Sequence, residues 1–67
     1  MSYHWIQMRF PGNERFSRAQ LVEAPDDESA LQAAFKQNPA ALEVRYIDEA
    51  TEYEVKEELT LIARGFV

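Results

Sequence analysis

Cysteine is absent from this sequence of 67 residues, so neither a disulfide nor a thiolate metal site can reinforce the fold. A chain this short hides only roughly 60% of the surface that its unfolded form exposes, which leaves its stability marginal. The core must therefore come from aromatic and aliphatic side chains, and an apolar fraction of 46% is typical of a globular chain. We predict a single domain spanning residues 1–67.

The chain has one histidine, His4, and two glycines, which excludes most catalytic and cofactor-binding motifs. A catalytic triad needs a nucleophile, a base and an orienting group, and a zinc site usually needs three or four His or Cys ligands. Two glycines do not build a phosphate-binding loop, and no segment has the spaced aspartates of a calcium loop. We expect no catalytic residues, no metal and no cofactor, and we interpret His4 as a surface or edge residue.

No apolar run approaches the length of a membrane span, and the first residues lack a basic segment followed by an apolar one. Together with the absence of cysteine, this predicts a cytoplasmic protein that does not bind a membrane.

The negative charge of the chain is unevenly distributed along the sequence. Residues 1–22 hold one acid and three bases, whereas residues 23–58 hold eleven acids and three bases, and the net charge is −5. Such an asymmetry is typical of an interaction surface. It argues against nucleic acid as the direct ligand, because phosphate binding calls for a basic surface.

Alternation of apolar residues predicts a strand over residues 3–10, with Ile6, Met8 and Phe10 on one face. Pro11 and Gly12 suit a type II turn, because glycine accepts a positive φ at its third position. A second strand, predicted over residues 16–24, then completes a hairpin.

A helix is predicted to begin after Pro25, with Asp26 as its N-terminal cap. Asn38 and Pro39 end it, because the residue before a proline avoids the helical region. The helix has an apolar stripe formed by Ala30, Leu31, Ala34 and Phe35.

Alternation returns in the second half of the chain. Leu42, Val44 and Tyr46 share one face of a third strand, residues 48–51 form a turn, and one long, bent strand is predicted over residues 52–63. The element order is therefore ββαββ. It predicts an α+β fold with a four-stranded, mainly antiparallel sheet and one helix packed on one face.

The segment 48–58 reads DEATEYEVKEE and holds six carboxylates and one lysine. On a strand, Glu52, Glu54 and Glu58 point to one side, with successive positions about 6.8 Å apart. The resulting negative field would attract a basic protein, although the same charges would also serve solubility alone. The predicted partner-binding residues are Asp48, Glu49, Glu52, Glu54, Glu57 and Glu58.

Tyr3 and Trp5 lie on the face of the first strand opposite Ile6 and Met8. They either complete the core or serve as exposed binding anchors. The second possibility supports an alternative function, a small assembly or antidote-like module that pairs through a sheet edge or this aromatic surface.

In its size, acidity, lack of cysteine and predicted ββαββ order, the chain resembles the small phage-encoded anti-CRISPR proteins, which inhibit bacterial CRISPR–Cas surveillance complexes. The resemblance is one of type over the whole chain, and no residue roles are carried over from it. It implies a non-catalytic, stoichiometric inhibitor in the cytoplasm of a bacterial host cell. Several members of that family are acidic and occupy the site where a Cas subunit grips double-stranded DNA.

The leading hypothesis is therefore an inhibitor, a monomer or weak homodimer, that binds a basic nucleic-acid-binding protein such as a Cas subunit. Its acidic segment would act as a DNA mimic.

Overall fold

The computed structural model describes residues 2–63 and Gly65 of the chain. It is an α+β fold with one antiparallel sheet of three strands, in the order β2-β1-β3. Helix α1 packs on one face of the sheet and helix α2 lies against the other. The elements are β1 (Ser2–Arg9), β2 (Gln20–Ala24), α1 (Asp27–Gln37), β3 (Glu43–Glu49) and α2 (Glu52–Ala63).

The core lies between α1 and the sheet, on the face to which β1 directs its even-numbered side chains. Ile6 and Met8 are fully buried there, as their spacing predicted, and Phe10 is half-buried against them. Ala30 and Ala34 are also fully buried, because their small side chains let α1 approach the strands closely. The six apolar residues of this core are Ile6, Met8, Val22, Ala24, Ala30 and Ala34.

Helix α1 begins and ends where the sequence predicts. The Asp26 carboxylate accepts a hydrogen bond from the Ser29 backbone N–H at 2.7 Å, which satisfies one of the free amides of the first turn. At the other end, the Asn38 N–H donates to the carbonyls of Ala34 and Phe35. The predicted cap and the predicted stop before Pro39 are confirmed.

The first hairpin is confirmed, but its second strand is shorter than predicted. Gly12 has a φ of 87°, and the Asn13 N–H donates to the Phe10 carbonyl at 3.1 Å, as the proline–glycine turn requires. Strand β2 begins only at Gln20. Before it, the Ser17 N–H donates to the Met8 carbonyl, and the Ser17 hydroxyl accepts from the Met8 N–H. These two hydrogen bonds hold the segment to β1 without a regular ladder.

The prediction of a fourth strand over residues 52–63 is wrong, because this segment is helix α2. Its start is a capping box: the Thr51 hydroxyl accepts from the Glu54 N–H at 3.1 Å, and the Glu54 carboxylate accepts from the Thr51 N–H at 2.9 Å. Val55, Leu59 and Ile62 recur at the spacing of a helix face. The same residues also partly fit a period of two, so the alternation alone was misleading.

Among residues 2–63 and 65, neither helix has the length and apolar character that a bilayer span requires.

Candidate acidic interface

Acidic side chains from three separate parts of the chain come together at one end of the sheet. Strand β1 begins at this end, opposite Ala24 of β2 and Glu49 of β3. Helix α1 starts just after Ala24, and α2 starts just after β3, so the N-termini of both helices lie here too. We call this region the acidic end, and its residues are Asp26, Asp27, Glu28, Asp48, Glu49 and Glu52.

Negative charges from both α1 and β3 act on the Tyr46 hydroxyl. Burial raises the pKa of the Tyr46 hydroxyl, and the negative charges of Asp27, Glu49 and Asp48 raise it further. The carboxylates of α1 and β3 therefore act on one phenol group, although more than twenty residues separate them in the chain. All six side chains of the acidic end are exposed, so they present a shared negative field to solvent.

Only half of the predicted partner-binding residues belong to the acidic end. Asp48 and Glu49 end β3 and Glu52 begins α2, where all three are exposed. Glu57 is exposed on the outer surface of α2, beside Tyr53. Because the segment is a helix, the predicted ladder of carboxylates on one strand face does not exist.

Glu54 and Glu58 are only partly exposed, and each contacts a residue outside α2. The Trp5 indole N–H donates to the Glu54 carboxylate at 3.1 Å, and Arg18 pairs with Glu58 at 3.2 Å. The Glu58 side chain keeps only 12% of its surface exposed. These two carboxylates connect α2 with β1 and with the segment that precedes β2, and their contact with a partner stays a prediction.

The hydrogen bond from the Thr51 backbone is the main reason that the pKa of Glu54 lies below its ordinary value. The hydrogen bonds with the Thr51 and Trp5 side chains lower this pKa further. The Ser29 backbone N–H has the same effect on the pKa of Asp26. Both carboxylates are therefore charged at neutral pH, and each is committed to a helix cap.

Sequence reasoning missed Asp26, Asp27 and Glu28 as members of the site, because helix-start chemistry already explained them. The signal that would have found them is topological. In a hairpin followed by a helix and a returning strand, the start of the helix and the end of that strand lie at the same end of the sheet.

The positive side chains lie mainly at the opposite end and over the middle of the sheet. Arg9 ends β1 and pairs with Glu43, Arg45 donates to Gln7, and Lys36 is in the last turn of α1. Within residues 2–63, the base beside the acidic end is Lys56, which lines a groove together with Glu49 and Glu52. In the folded protein, one end of the sheet is therefore mainly negative, whereas the other end carries most of the positive side chains of the described residues.

His4 is buried with 2% of its surface exposed, so its interpretation as a surface residue is wrong. Its Nε2 lies 3.1 Å from the Ala24 carbonyl, which accepts only, so Nε2 carries a proton. Its Nδ1 lies 2.9 Å from the Tyr46 hydroxyl. The imidazole of β1 thereby contacts β2 and β3 beneath the acidic end, and both of its ring nitrogens have a hydrogen-bond partner.

Tyr3 and Trp5 are half-buried beneath α2. An open groove runs along α2 on the side of β2, with Tyr3 and Leu21 at its base and Leu59 and Ile62 on the helix. These aromatic residues therefore neither complete the main core nor stand free.

In the described part of the chain, no three side chains of His, Asp or Glu converge on a point where they would hold a metal ion. No protein-family model matches the chain, and no curated protein and no solved structure proved similar to it.

Proposed function

We propose that this protein is a non-catalytic inhibitor that binds the basic, nucleic-acid-binding surface of another protein through its acidic end. The observation that supports the proposal best is the convergence of six exposed carboxylates from α1, β3 and α2 on one end of the sheet. A surface of this kind attracts Lys- and Arg-rich sites over a distance and accelerates encounter with them.

The arrangement favours a protein partner over a small ligand. The carboxylates are spread along an exposed rim and do not surround a deep cavity, which suits a broad, basic surface. Sites that grip a nucleic-acid backbone are such surfaces, because they carry many Lys and Arg side chains that neutralise phosphates. Occupation of such a site by the acidic end would exclude the nucleic acid.

A Cas subunit of a CRISPR surveillance complex is the partner class that we propose, in keeping with the size, acidity and cysteine-free composition of the chain. The inhibitor would then compete with double-stranded DNA and would act stoichiometrically, without chemistry.

The test is capture by the tagged protein from a bacterial lysate that contains CRISPR complexes, with elution in a salt gradient and identification by mass spectrometry. A DNA-binding Cas subunit that is released at moderate salt, and whose DNA binding the protein blocks, is the expected result. Glu49→Lys and Glu52→Lys should each weaken capture, whereas Glu14→Lys in the distant hairpin loop is the control of equal charge change.

Equal capture by all three variants would reject the acidic end as the contact surface. A partner that stays bound at high salt would also reject it, because an interface of exposed charges is screened by salt.

A further inference from the structure

Strand β3 is an edge strand seven residues long, because the sheet order places β1 on one side of it and no described strand on the other. One row of its backbone N–H and C=O groups is therefore unpaired. Two apolar side chains near this edge are substantially exposed, Leu42 by 54% and Ile47 by 45%. Natural edge strands are usually covered or blocked. This one carries charged side chains and a bulge near its C-terminal end, but neither proline nor lysine, and its regular part, residues 43–46, is left open to pairing.

We propose that β3 is the interface between two copies of this chain, which pair antiparallel about a two-fold axis through Val44. The result is one continuous six-stranded sheet in which both α1 helices lie on one face and both α2 helices on the other. The proposal does not depend on the function of the acidic end.

Charge complementarity selects this register. With the axis at Val44, Glu43 of each copy lies directly opposite Arg45 of the other, so two cross-strand pairs of opposite charge form. An axis at Arg45 would oppose two arginines, and an axis at Tyr46 would oppose Glu43 and Glu49. Of these three centres, only Val44 is free of a like-charged pair. An axis at Ile47 would also oppose Arg45 and Glu49, but Ile47 is the extra residue of the bulge between Tyr46 and Asp48, where a regular ladder is interrupted.

The present contacts of these two side chains leave room for the new ones. Within the described residues, Arg9 engages only Oε1 of Glu43, and Gln7 accepts from Nε and Nη2 of Arg45. Oε2 of Glu43 and Nη1 of Arg45 are therefore available across the axis. Phe16, over which the Arg45 guanidinium stacks at 4.0 Å, keeps the arginine on the face where Glu43 also lies.

The apolar positions match in the same register. On the face of α1, Val44 meets its own copy, and the exposed Leu42 lies opposite the Tyr46 of the second copy. Beyond Tyr46, β3 has a bulge opposite Trp5 and Ile6, so we expect the regular pairing between the two copies to end there. Because the strands are antiparallel, the two acidic ends point away from each other, which limits the repulsion between two chains of net charge −5.

The test measures the mass of the protein by sedimentation equilibrium over a wide range of concentration. The wild-type mass should rise from 7.8 kDa toward twice that value. Glu43→Arg and Arg45→Glu should each weaken self-association by about tenfold or more, because each creates two like-charged pairs. Glu23→Arg, the same change on the opposite edge strand β2, is the matched control and should self-associate as the wild type does.

Mixing the two variants separates pairing from folding. In a heterodimer of Glu43→Arg with Arg45→Glu, both cross-strand pairs regain opposite charges, so association should return to about the wild-type level. A folding defect in either variant would not be repaired by mixing.

A wild-type protein that stays monomeric at every concentration would overturn the proposal. So would an effect of Glu23→Arg equal to that of Glu43→Arg, or a mixture that associates no better than its components. Hydrogen exchange of the wild type gives a reading without mutation: the amides of β3 should become more protected as concentration rises, and unchanged exchange in a dimer would place the interface elsewhere.

Discussion

The two helices of this protein lie on opposite faces of the same sheet and are held there in different ways. Helix α1 buries Ala30 and Ala34 completely and closes the main core. Helix α2 has no buried residue, and its side chains Leu59 and Ile62 remain about half exposed. Its polar contacts with the rest of the fold include the hydrogen bond from Trp5 of β1 to Glu54 and the ion pair of Glu58 with Arg18, which lies between β1 and β2.

The stability of the fold is therefore concentrated on the α1 face. Burial of apolar surface is the dominant favourable contribution to folding, whereas hydrogen bonds and exposed ion pairs contribute little each. Elements with few buried apolar contacts open at a lower cost than the whole molecule. We therefore expect α2 to detach from the sheet more readily than the rest of the fold unfolds.

The largest effect should come from removing a core side chain beneath α1. Ile6→Ala should cost about 2–5 kcal/mol, because it leaves a cavity at a fully buried position. Ile62→Ala on α2, the matched control, should change stability by about 0.5 kcal/mol or less. Thermal denaturation followed by circular dichroism measures both, and equal losses would contradict the contrast between the helices.

The buried histidine should give the next largest effect. His4→Phe leaves the Tyr46 hydroxyl and the Ala24 carbonyl without their partner, which should cost about 1–3 kcal/mol. Adding Tyr46→Phe should cost less than it does in the wild-type background, since the two groups share one hydrogen bond. Chemical denaturation of the four proteins of this cycle measures the coupling, and strictly additive losses would show that the contact contributes nothing.

Removing the contacts of α2 should act locally. Trp5→Phe keeps an aromatic ring but removes the donor to Glu54, and Arg18→Ala removes the partner of Glu58. Each should lower global stability by less than about 1 kcal/mol. Hydrogen exchange should nevertheless accelerate in α2 and stay unchanged in α1. Arg15→Ala is the control, because Arg15 is an exposed arginine in the same segment between β1 and β2 as Arg18. Faster exchange in both helices would contradict a local effect.

Acid should loosen α2 through Glu54. Because its pKa in the folded protein lies below the ordinary value of 4.5, its contribution to stability is complete above that pH. The contribution is lost as the pH falls through the lowered pKa. Trp5 is the single tryptophan, so its fluorescence reports the contact directly. Glu54→Gln should remove this transition, and a transition that persists in the variant would assign it to another group, such as the Asp26 cap.

Several elements of the fold were predictable because the signals for them are local. The turn at Gly12, the Asp26 cap and the end of the helix before Pro39 each depend on residues only a few positions apart in the sequence. The alternation of Ile6 and Met8 likewise identified the buried face of β1. Such features follow from backbone sterics and short-range hydrogen bonds, and they do not depend on the rest of the molecule.

The prediction of a fourth strand failed because two periodicities overlap in the sequence of residues 52–63. The run from Tyr53 to Ala63 satisfies much of a period of two, and that pattern outweighed the Thr51–Glu54 capping signal. A capping box followed by residues that favour helices is the stronger indication, because it satisfies free amides that a strand would pair differently. The strand prediction placed Glu54 and Glu58 on one exposed strand face, whereas in the structure they contact Trp5 and Arg18 from helix α2.

The sequence by itself determined the α+β class, the position of the first helix and the excess of acid in the second half of the chain. Only the tertiary structure decided that the carboxylates of α1, β3 and α2 meet at one end, and that His4 lies buried against Tyr46. The physical reason is distance along the chain. Caps and turns are interactions between near neighbours, whereas a charged surface or a buried polar contact depends on strands and helices that are far apart in sequence and are brought together only by the packing of the sheet.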